Sequence, residues 1–349
     1  MSVFSGLFSF AFLTLALAWL SAGKDCKTLD GKWYNQLGDE ISLEHGDNGT
    51  LLGEYRTKYA GEPHSAVLGY APYGSPDATF AFTVVWRNGS STRVWTGQCF
   101  ICADGAQEKL LTSWLQRSKV NTCIDKWKST MVGRDAFTRC KQQDGPCLNP
   151  NETPPSIEPV FKNWDPEIQK KSCNVNGNWY NLLGSEMIME QGENNRITGE
   201  FRTAVERERG TAGTSHSKVL GIGQLGGTNS TFAFFVIYRN GGSVAGWVGQ
   251  CHFCGENKTE TIETTWVLRA QIDKCGDNWK STYYGENTFT HTETTPGPRK
   301  KDDTHTPDTS GEEEKEDKKP NVCKGCQLMA PFTLLSFSVI LSLACLALR

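Results

Sequence analysis

The chain has 349 residues, with 36 basic and 39 acidic side chains, a formal net charge of −3, 11 Trp and 13 Cys. This near balance of charge excludes nucleic-acid binding that is driven by bulk positive charge, and the length predicts two or three domains. An apolar fraction of 38% is low for one large core, and it is sufficient for small β domains.

The chain begins with an apolar stretch, Phe4 to Leu20, followed by the small residues Ser21, Ala22 and Gly23. This pattern predicts a signal peptide over residues 1–23, and the alternative is a first membrane helix. Export would place the chain in an oxidising compartment that favours disulfides. Five Asn-x-Ser/Thr sequons agree with export and predict glycosylation at Asn48, Asn88, Asn151, Asn229 and Asn257.

The last part of the chain, residues 328–349, is apolar and ends in a single Arg. Together with the polar spacer and small residues before it, this tail predicts a glycolipid (GPI) anchor signal, which would tether the protein to the outside of the cell membrane. The alternative is a single-pass membrane helix, for which one terminal Arg is a poor cytoplasmic flank. Residues 293–327, rich in Pro, Thr and charge, predict a disordered stalk.

The middle of the chain contains one set of motifs twice. The run Gly31–Gly38 returns as Gly177–Gly184, and Gly53–Thr57 returns as Gly199–Thr203. Repetition in this order predicts tandem copies of one domain. The predicted bounds are 24–140 for the first unit, 141–172 for a Pro-rich linker and 173–292 for the second unit.

The spacing of the two copies locates a variable loop. The offset is 146 residues up to Thr57 and 152 from Leu68 onward, so six extra residues lie between Thr203 and Leu220. Insertions collect in surface loops, so this segment is predicted to be a loop of the second unit.

Each unit has the pattern of short strands without a helical period. Thr79–Arg87 and Thr231–Arg239 are rich in aromatic and β-branched residues and are followed by Asn-Gly, a turn signal. We expect eight strands per unit, centred in the first near residues 33, 42, 54, 67, 83, 97, 113 and 132. Such strands predict an all-β sandwich or barrel.

The cysteines repeat with the motifs. Cys26, Cys99, Cys102 and Cys123 correspond to Cys173, Cys251, Cys254 and Cys275. The Cys-x-x-Cys of each unit would suggest zinc or thiol redox chemistry in the cytosol. A metal site would need further ligands, and export favours disulfides, so we expect no metal.

The ordered motifs resemble those of avidin and its relatives. They are Gly-Lys-Trp-x-Asn-x-x-Gly, Gly-x-Tyr-x-Thr, Phe-x-Phe-x-Val-x-Trp, Thr-Gly-Gln-Cys-Phe, Trp-Leu and Trp-Lys-x-Thr. The resemblance implies that each unit is an eight-stranded antiparallel up-and-down β-barrel that holds biotin in its open mouth. It also implies that barrels associate, because one Trp of each site comes from a neighbouring barrel.

Biotin carries a ureido group with one acceptor and two N–H donors, so its site needs converging donors, acceptors and aromatic walls. For the first unit the resemblance implies carbonyl donors Asn35 and Tyr55, N–H acceptors Thr57 and Asp135, walls Trp86, Trp95 and Trp114, Ser91 near the acyl chain, and Trp127 contributed to a neighbour. Two residues depart from the pattern. Asp39 replaces a hydroxyl donor, and its carboxylate would repel the ureido carbonyl; Arg93 replaces a Thr that contacts sulfur.

For the second unit the resemblance implies donors Asn181 and Ser185, acceptors Thr203 and Asn287, walls Tyr238, Trp247 and Trp266, Ser243 near the acyl chain, and Trp279 contributed to a neighbour. Phe201 lacks the hydroxyl of the expected Tyr, and Ala245 replaces the sulfur-contacting Thr. A missing donor lowers affinity less than a like-signed charge does, so we expect the second barrel to bind biotin more tightly.

These residues predict an extracellular biotin-binding protein with two sites per chain, without enzymatic activity or a cofactor, that sequesters biotin and assembles as a dimer or pseudo-tetramer. The alternative is an extracellular adhesive or structural module whose pockets have decayed. Asp39 and Phe201 favour the alternative, and the retained aromatic walls favour biotin binding.

The resemblance implies the disulfides Cys26–Cys99 and Cys173–Cys251. Because Cys102 and Cys123 lie at opposite ends of one strand, we expect no bond between them. Our hypothesis is a Cys123–Cys275 crosslink, within one chain or between two chains, that holds together barrels that exchange Trp127 and Trp279 about a pseudo-two-fold axis. Cys102 would then reach Cys140 or Cys147, and the partner of Cys254 stays open.

Overall fold

The computed structural model describes residues 26–57, 65–102, 107–142, 175–192, 195–206, 211–212, 216–223 and 230–295. The predicted signal peptide and anchor, and nearly all of the linker and stalk, lie outside these ranges. In the described ranges, no helix is long and apolar enough to cross a membrane.

The first unit is a closed barrel in which each strand pairs antiparallel with the next. Its strands are β1 (Gly31–Tyr34), β2 (Glu40–His45), β3 (Thr50–Arg56), β4 (Ser65–Tyr70), β5 (Thr79–Trp86), β6 (Ser91–Ile101), β7 (Glu108–Ser118) and β8 (Thr130–Thr138). All eight predicted strand centres fall inside these strands. The barrel closes where Tyr34 of β1 pairs with Thr138 of β8.

The second unit is a second closed antiparallel barrel. Its strands are β9 (Gly177–Asn181), β10 (Glu186–Gln191), β11 (Arg196–Arg202), β12 (Ser217–Gly223), β13 (Thr231–Tyr238), β14 (Ser243–Cys254), β15 (Thr259–Ala270) and β16 (Thr282–Thr290). The six inserted residues fall between β11 and β12, in the predicted loop. The expected pair of tandem eight-stranded barrels is confirmed.

One tryptophan anchors the core of each barrel beside its first strand. Trp33 and Trp179 are both 0% exposed. The Trp33 indole N–H donates to the Leu29 carbonyl at 2.9 Å, and that of Trp179 donates to the Val175 carbonyl at 2.8 Å. A buried indole N–H needs such an acceptor, so both tryptophans are core residues.

The two barrels pack side by side through β4–β7 and β12–β15. Alternation along β6 turns Arg93, Trp95 and Cys99 into the first barrel and Val94 and Thr96 outward. The outward residues are nevertheless buried, because the second barrel covers them. Outward apolar residues of both barrels form a shared cluster: Ala81, Val94, Leu115, Ala233, Phe235, Val244, Val248 and Val267.

Paired hydrogen bonds show that the barrels are related by a pseudo-two-fold axis. The Thr79 hydroxyl donates to the Gly241 carbonyl at 2.9 Å, and the equivalent Thr231 hydroxyl donates to the Gly89 carbonyl at 2.9 Å. A second pair of contacts is bidentate. The Gln98 side-chain amide donates to the Ile272 carbonyl at 2.8 Å and accepts the Ile272 N–H at 3.1 Å. The Gln250 side-chain amide likewise donates to the Val120 carbonyl at 2.7 Å and accepts the Val120 N–H at 3.1 Å.

The structure contains the Cys26–Cys99 bond that the resemblance implies, with Cα atoms 5.8 Å apart. Cys251 is also disulfide-bonded, while Cys173 lies outside the described residues. The predicted Cys123–Cys275 crosslink is wrong. Two crosslinks join the barrels instead, Cys102–Cys275 and Cys123–Cys254, each with Cα atoms 6.0 Å apart.

The direction of the barrels explains this correction. Cys102 and Cys123 do lie at opposite ends of β7, as expected, and they do not bond each other. The pseudo-two-fold axis sets the β6–β7 end of one barrel beside the β15–β16 loop of the other, so Cys102 meets Cys275 and not Cys140 or Cys147. The loops that hold Cys123 and Cys275 therefore lie at opposite ends of the pair of barrels.

Two crosslinks of this kind should hold the barrels together without the linker. We expect that a protease site inserted between residues 151 and 165, once cut, leaves both halves in one band on a denaturing non-reducing gel. Reduction should release two bands, since each of the two bonds joins a residue before the cut to a residue after it. The variant with Cys102→Ser and Cys123→Ser should separate without reduction, and halves that stay linked in this variant would contradict the assignment.

Candidate ligand sites in the two barrels

The inward faces of β3, β5, β6 and β7 form an aromatic box in the first barrel. Trp95 lies opposite Trp114 in the register of β6 and β7, and Trp86 ends β5. The ring centre of Tyr55 is 5.1 Å from that of Trp95 and 5.9 Å from that of Trp86. Gly133 makes room for Trp114, because a Cβ there would lie 2.2 Å from the indole. The structure thus brings the three predicted wall residues together.

The polar end of this box is already hydrogen-bonded within the protein. Both predicted carbonyl donors point at one oxygen, Oδ2 of Asp39: the Tyr55 hydroxyl donates to it at 2.8 Å and the Asn35 amide at 3.2 Å. Burial, and then the charge of Asp39, raise the pKa of Tyr55, so the phenol keeps its proton and remains a donor. The Asp39 oxygen therefore accepts the hydrogen bonds that a ureido carbonyl would need.

The guanidinium of Arg93 occupies the aromatic part of the box. Its Cζ lies 4.3 Å from the ring centre of Trp114, 4.9 Å from that of Trp95 and 5.1 Å from that of Trp86. Each such contact contributes about 0.5–2 kcal/mol, more when it is desolvated. Nε of Arg93 donates to Oε1 of Gln116 at 2.9 Å.

The remaining predicted polar residues of the first site are also engaged. Oδ2 of Asp135 accepts from the Trp95 indole at 2.9 Å, and its Oδ1 accepts from the Gln36 amide at 3.1 Å. The Ser91 hydroxyl accepts from the Gln116 amide at 3.1 Å. Thr57 follows β3 and is half-buried. Every predicted contact of the ureido group thus lies at one end of the barrel, and most already have a protein partner.

The second barrel has equivalent walls, with Tyr238 in place of Trp86, and it lacks the arginine. The ring of Trp247 is 5.1 Å from that of Phe234 and 5.3 Å from that of Phe201. Tyr238 is buried, which raises its pKa, and Trp266 packs against the same core cluster. Ala245 stands at the position of Arg93 and has no atom beyond Cβ to fill the box.

The donors of the second barrel are not directed at a carboxylate. Oδ1 of Asn181 accepts the backbone N–H groups of Leu183 and Ser185 at 3.1 and 2.9 Å, which fixes the amide. The Ser185 hydroxyl accepts the Ala204 N–H at 3.0 Å. Among the described residues neither the Asn181 Nδ2 group nor the Ser185 hydroxyl proton has an acceptor. In this part of the structure, the two Asn181 N–H groups and the Ser185 O–H are therefore available to a ligand.

The acceptors of the second site lie beside these donors. Oδ1 of Asn287 accepts from the Trp247 indole at 3.3 Å, the contact equivalent to that between Asp135 and Trp95. The Thr203 hydroxyl donates to the Val205 carbonyl at 2.7 Å and accepts the Val205 N–H at 3.2 Å, so one of its lone pairs is left to accept. Ser243 begins β14 and is half-buried.

The loop that contains the insertion reaches the second site. Ala212 is buried and belongs to the same apolar cluster as Phe201, Tyr238 and Trp247. Its backbone N–H donates to Oε1 of Glu206 at 3.1 Å. Part of the loop therefore covers the aromatic box.

The predicted exchange of tryptophans within one chain requires a correction. The side chains of Trp127 and Trp279 are outside the described part of the structure, but their backbones lie in the 3₁₀ helices Cys123–Lys128 and Cys275–Ser281. The Cys123–Cys254 bond ties the first helix to the end of β14 that is far from Ser243. The 12 residues of β14 extend over more than about 30 Å. The helix that contains Trp127 therefore begins far from the mouth of the other barrel in its own chain.

Two predicted glycosylation sites lie on exposed turns. Asn48 is exposed between β2 and β3, and Asn257 is exposed between β14 and β15. Asn88 lies in the β5–β6 turn, where its side chain is outside the described part of the structure, as are Asn151 and Asn229 entirely. The exposed pair would accept a glycan without disturbing either barrel.

One group of potential metal ligands forms beneath the first barrel. Cys26, Cys99 and Glu108 approach one another. The two sulfurs are bonded to each other, and the Glu108 carboxylate accepts from the Cys26 N–H at 2.8 Å and from Arg139 at 2.9 Å. Thiolate ligation is therefore blocked, and the carboxylate is paired.

Sequence reasoning placed Arg93 at the sulfur-contacting position, but it missed that Gln36 and Gln116 complete the first site and that Arg93 fills it. Two signals were available. Arg93 is two residues from Trp95 and Gln116 is two from Trp114, so both face the barrel interior. The register also places Arg93 directly opposite Gln116.

Comparisons with known proteins agree with this architecture. Residues 23–140 and 169–292 match the Avidin family. Avidin-related protein 1 of Gallus gallus is 40% identical over 134 residues, which cover 36% of this chain and 89% of that protein. Fibropellin-1 of Strongylocentrotus purpuratus is 42% identical over 124 residues, which cover 34% of this chain and 11% of that protein, so the chain spans about a tenth of its length.

A solved structure is also similar. The crystal structure of Xenavidin is 36% identical, covers 35% of this chain and 100% of its own, and has a TM-score of 0.33. The family match extends over both barrels and well over half of the chain, and avidin-related protein 1 is matched over most of its length. The protein therefore belongs to the Avidin family.

Proposed function

We propose that the protein binds biotin and that the second barrel is the site. The observation that carries the proposal is the pair of donors at Asn181 and Ser185, which have no acceptor among the described residues and lie at the end of a box walled by Tyr238, Trp247 and Trp266. Avidin-like barrels are expected to bind biotin, and these groups match the ureido group and the ring.

The second site retains most of what the ligand requires. Two donors serve the carbonyl, and Thr203 and Asn287 serve the N–H groups. Phe201 lacks the third donor, and one hydrogen bond to a polarised group is worth about 1–3 kcal/mol. The affinity is therefore about ten- to a hundred-fold below that of a site with all three.

The neighbour that completes this site is a second chain. The disulfides hold each tryptophan-bearing 3₁₀ helix away from the other barrel's mouth, so Trp127 or Trp279 can reach a foreign mouth only between chains. Two chains with two barrels each would make a pseudo-tetramer. Three disulfides among the described residues support an extracellular location. There the protein would sequester the vitamin.

Retention on a biotin column tests the proposal. The full chain should be retained and released by free biotin, and the variant with Asn181→Leu and Ser185→Ala should pass through. If the wild-type chain also passes through, the alternative of an adhesive module with decayed pockets, which Asp39 and Phe201 favour, replaces biotin binding.

Restoring the missing donor should strengthen the second site. We expect Phe201→Tyr to raise biotin affinity about ten- to a hundred-fold, because the new hydroxyl would lie where that of Tyr55 lies in the first barrel. Titration calorimetry on the full chain measures the change. Tyr55→Phe is the matched control and should leave the affinity unaltered; a gain of less than about twofold from Phe201→Tyr would contradict the assigned donor position.

A further inference from the structure

The first barrel contains, in its own side chains, the groups that a ligand would otherwise supply. The Arg93 guanidinium lies 4.3–5.1 Å from the centres of three Trp rings. Like the ureido group, a guanidinium is a planar, three-coordinate carbon centre that bears N–H donors. At the end of the same box, Oδ2 of Asp39 accepts the protons of Asn35 and Tyr55.

We propose that Arg93 is a resident plug of the first barrel, which closes that barrel to biotin and leaves one biotin site per chain. This inference rests on the proposed function of the second barrel. Arg93 and Asp39 are then the residues that determine specificity. Arg93 occupies the place of the biotin rings between the tryptophans, and Asp39 occupies the place of the ureido carbonyl oxygen.

Charge holds the plug in place. Asp39 and Asp135 are each 4% exposed, and their carboxylates face the same box as Arg93. Burial lowers the pKa of Arg93, while Tyr55, Asp135 and Asp39 oppose that effect. If Arg93 left the box, two buried carboxylates would lose their nearby cation, which is costly in a dry interior.

Geometry fixes the plug as well. Gln116, directly opposite Arg93 in the register, accepts hydrogen bonds from both Nε and Nη2 of Arg93. The same Gln116 donates to Ser91, the residue predicted to lie near the acyl chain. One network of side chains therefore fills the space between the tryptophans and also hydrogen-bonds Ser91 beside it.

The second barrel differs at each of these positions. Ala245 replaces Arg93, Leu268 replaces Gln116, and Ser185 replaces Asp39. The two barrels share their strand order, and Trp247 and Trp266 correspond to Trp95 and Trp114. The other lining differences are Phe201 for Tyr55, Tyr238 for Trp86 and Asn287 for Asp135.

The stoichiometry of the full chain tests the proposal. Titration calorimetry of wild type should give one biotin per chain, and the variant with Arg93→Ala and Asp39→Ser should give two. Arg93→Thr alone serves as a second opening variant should the double variant not fold. Two equal sites in wild type would overturn the plug and leave the proposed function standing.

The reciprocal transplant closes the open barrel. The variant with Ala245→Arg, Leu268→Gln and Ser185→Asp should lose biotin binding, with a fall in affinity of at least a hundred-fold. Phe253→Gln, at the exposed end of β14 far from Ser243, is the control and should bind as wild type does. Retained binding in the triple variant would contradict the plug.

A third measurement separates the plug from the biotin proposal. In Arg93→Ala, millimolar methylguanidinium chloride should raise Tm in a saturable way relative to equimolar potassium chloride, because it can refill the box. Wild type, with the box already filled, should show no such rise. If no variant binds biotin, the proposed function fails, and this result alone decides whether Arg93 is the occupant: a rise supports the plug and its absence overturns it.

Discussion

Replacing Gly53 with alanine is expected to unfold the first barrel at much lower temperature than wild type. A Cβ at this position would lie 2.0 Å from the backbone carbonyl oxygen of Ser42. Gly53 pairs with Leu43 on one side and Val67 on the other, so β3 cannot move away without breaking a ladder. We expect the free energy of unfolding to fall by roughly 4 kcal/mol, at the upper end for overpacking, and Tm to fall by about 15–25 °C.

The chain offers a repeat and a control for this prediction. Gly199 is the equivalent residue, where a Cβ would lie 1.9 Å from the Ile188 carbonyl oxygen, so Gly199→Ala should destabilise the second barrel similarly. Gly276→Ala has no heavy atom within 4 Å of the new Cβ and should leave Tm nearly unchanged. Thermal unfolding monitored by Trp fluorescence gives all three values. Equal Tm for Gly53→Ala and Gly276→Ala would contradict the close approach of β2 and β3.

The fold could be predicted from the sequence because its signals are local and repeated. Gly53 and Gly199 stand in the same motif, and both mark a point where two strands come unusually close. Short apolar runs and Asn-Gly turns then fix strand order in an up-and-down barrel, where each strand pairs with the next along the chain.

The packing of the barrels could not be predicted, because it depends on surfaces that no single motif encodes. The direction of the pseudo-two-fold axis decides whether Cys123 meets Cys275 or Cys254. That direction is set by the shared cluster around Val94 and Phe235 and by the bonds from Gln98 and Gln250, which join residues far apart in sequence. The separation of Cys102 from Cys123 by the length of one strand could be predicted from the sequence. Their disulfide partners could not.

That the first pocket is filled by its own side chains could not be predicted from the sequence, for a different reason. The departures at Asp39 and Arg93 are visible in the sequence, and each weakens the fit to biotin. Their combined effect depends on side-chain conformation, since the same Arg93 could extend into solvent at the mouth or fold back over Trp114. Buried carboxylates at Asp39 and Asp135 favour the second conformation, which turns two unfavourable residues into a closed network.

The largest effect on biotin binding is expected from Trp247→Ala. This side chain is 4% exposed, stacks on Phe234 and donates to Asn287. Its removal takes away one wall of the site and leaves the Asn287 amide without the indole that orients it. We expect a loss of about 3–4 kcal/mol of binding free energy, which is a several-hundred-fold fall in biotin affinity. Titration calorimetry well below Tm measures it.

Trp95→Ala is the matched control, because Trp95 holds the same place in the first barrel. It stacks on Phe82 at 4.9 Å and donates to Asp135 at 2.9 Å, so both variants should lose about 3–5 kcal/mol of folding stability. Only Trp247→Ala should lower biotin affinity, since the first barrel is closed to the ligand. If Trp95→Ala weakened binding as much as Trp247→Ala does, the loss would come from the shared interface between the barrels and not from a wall of the second site.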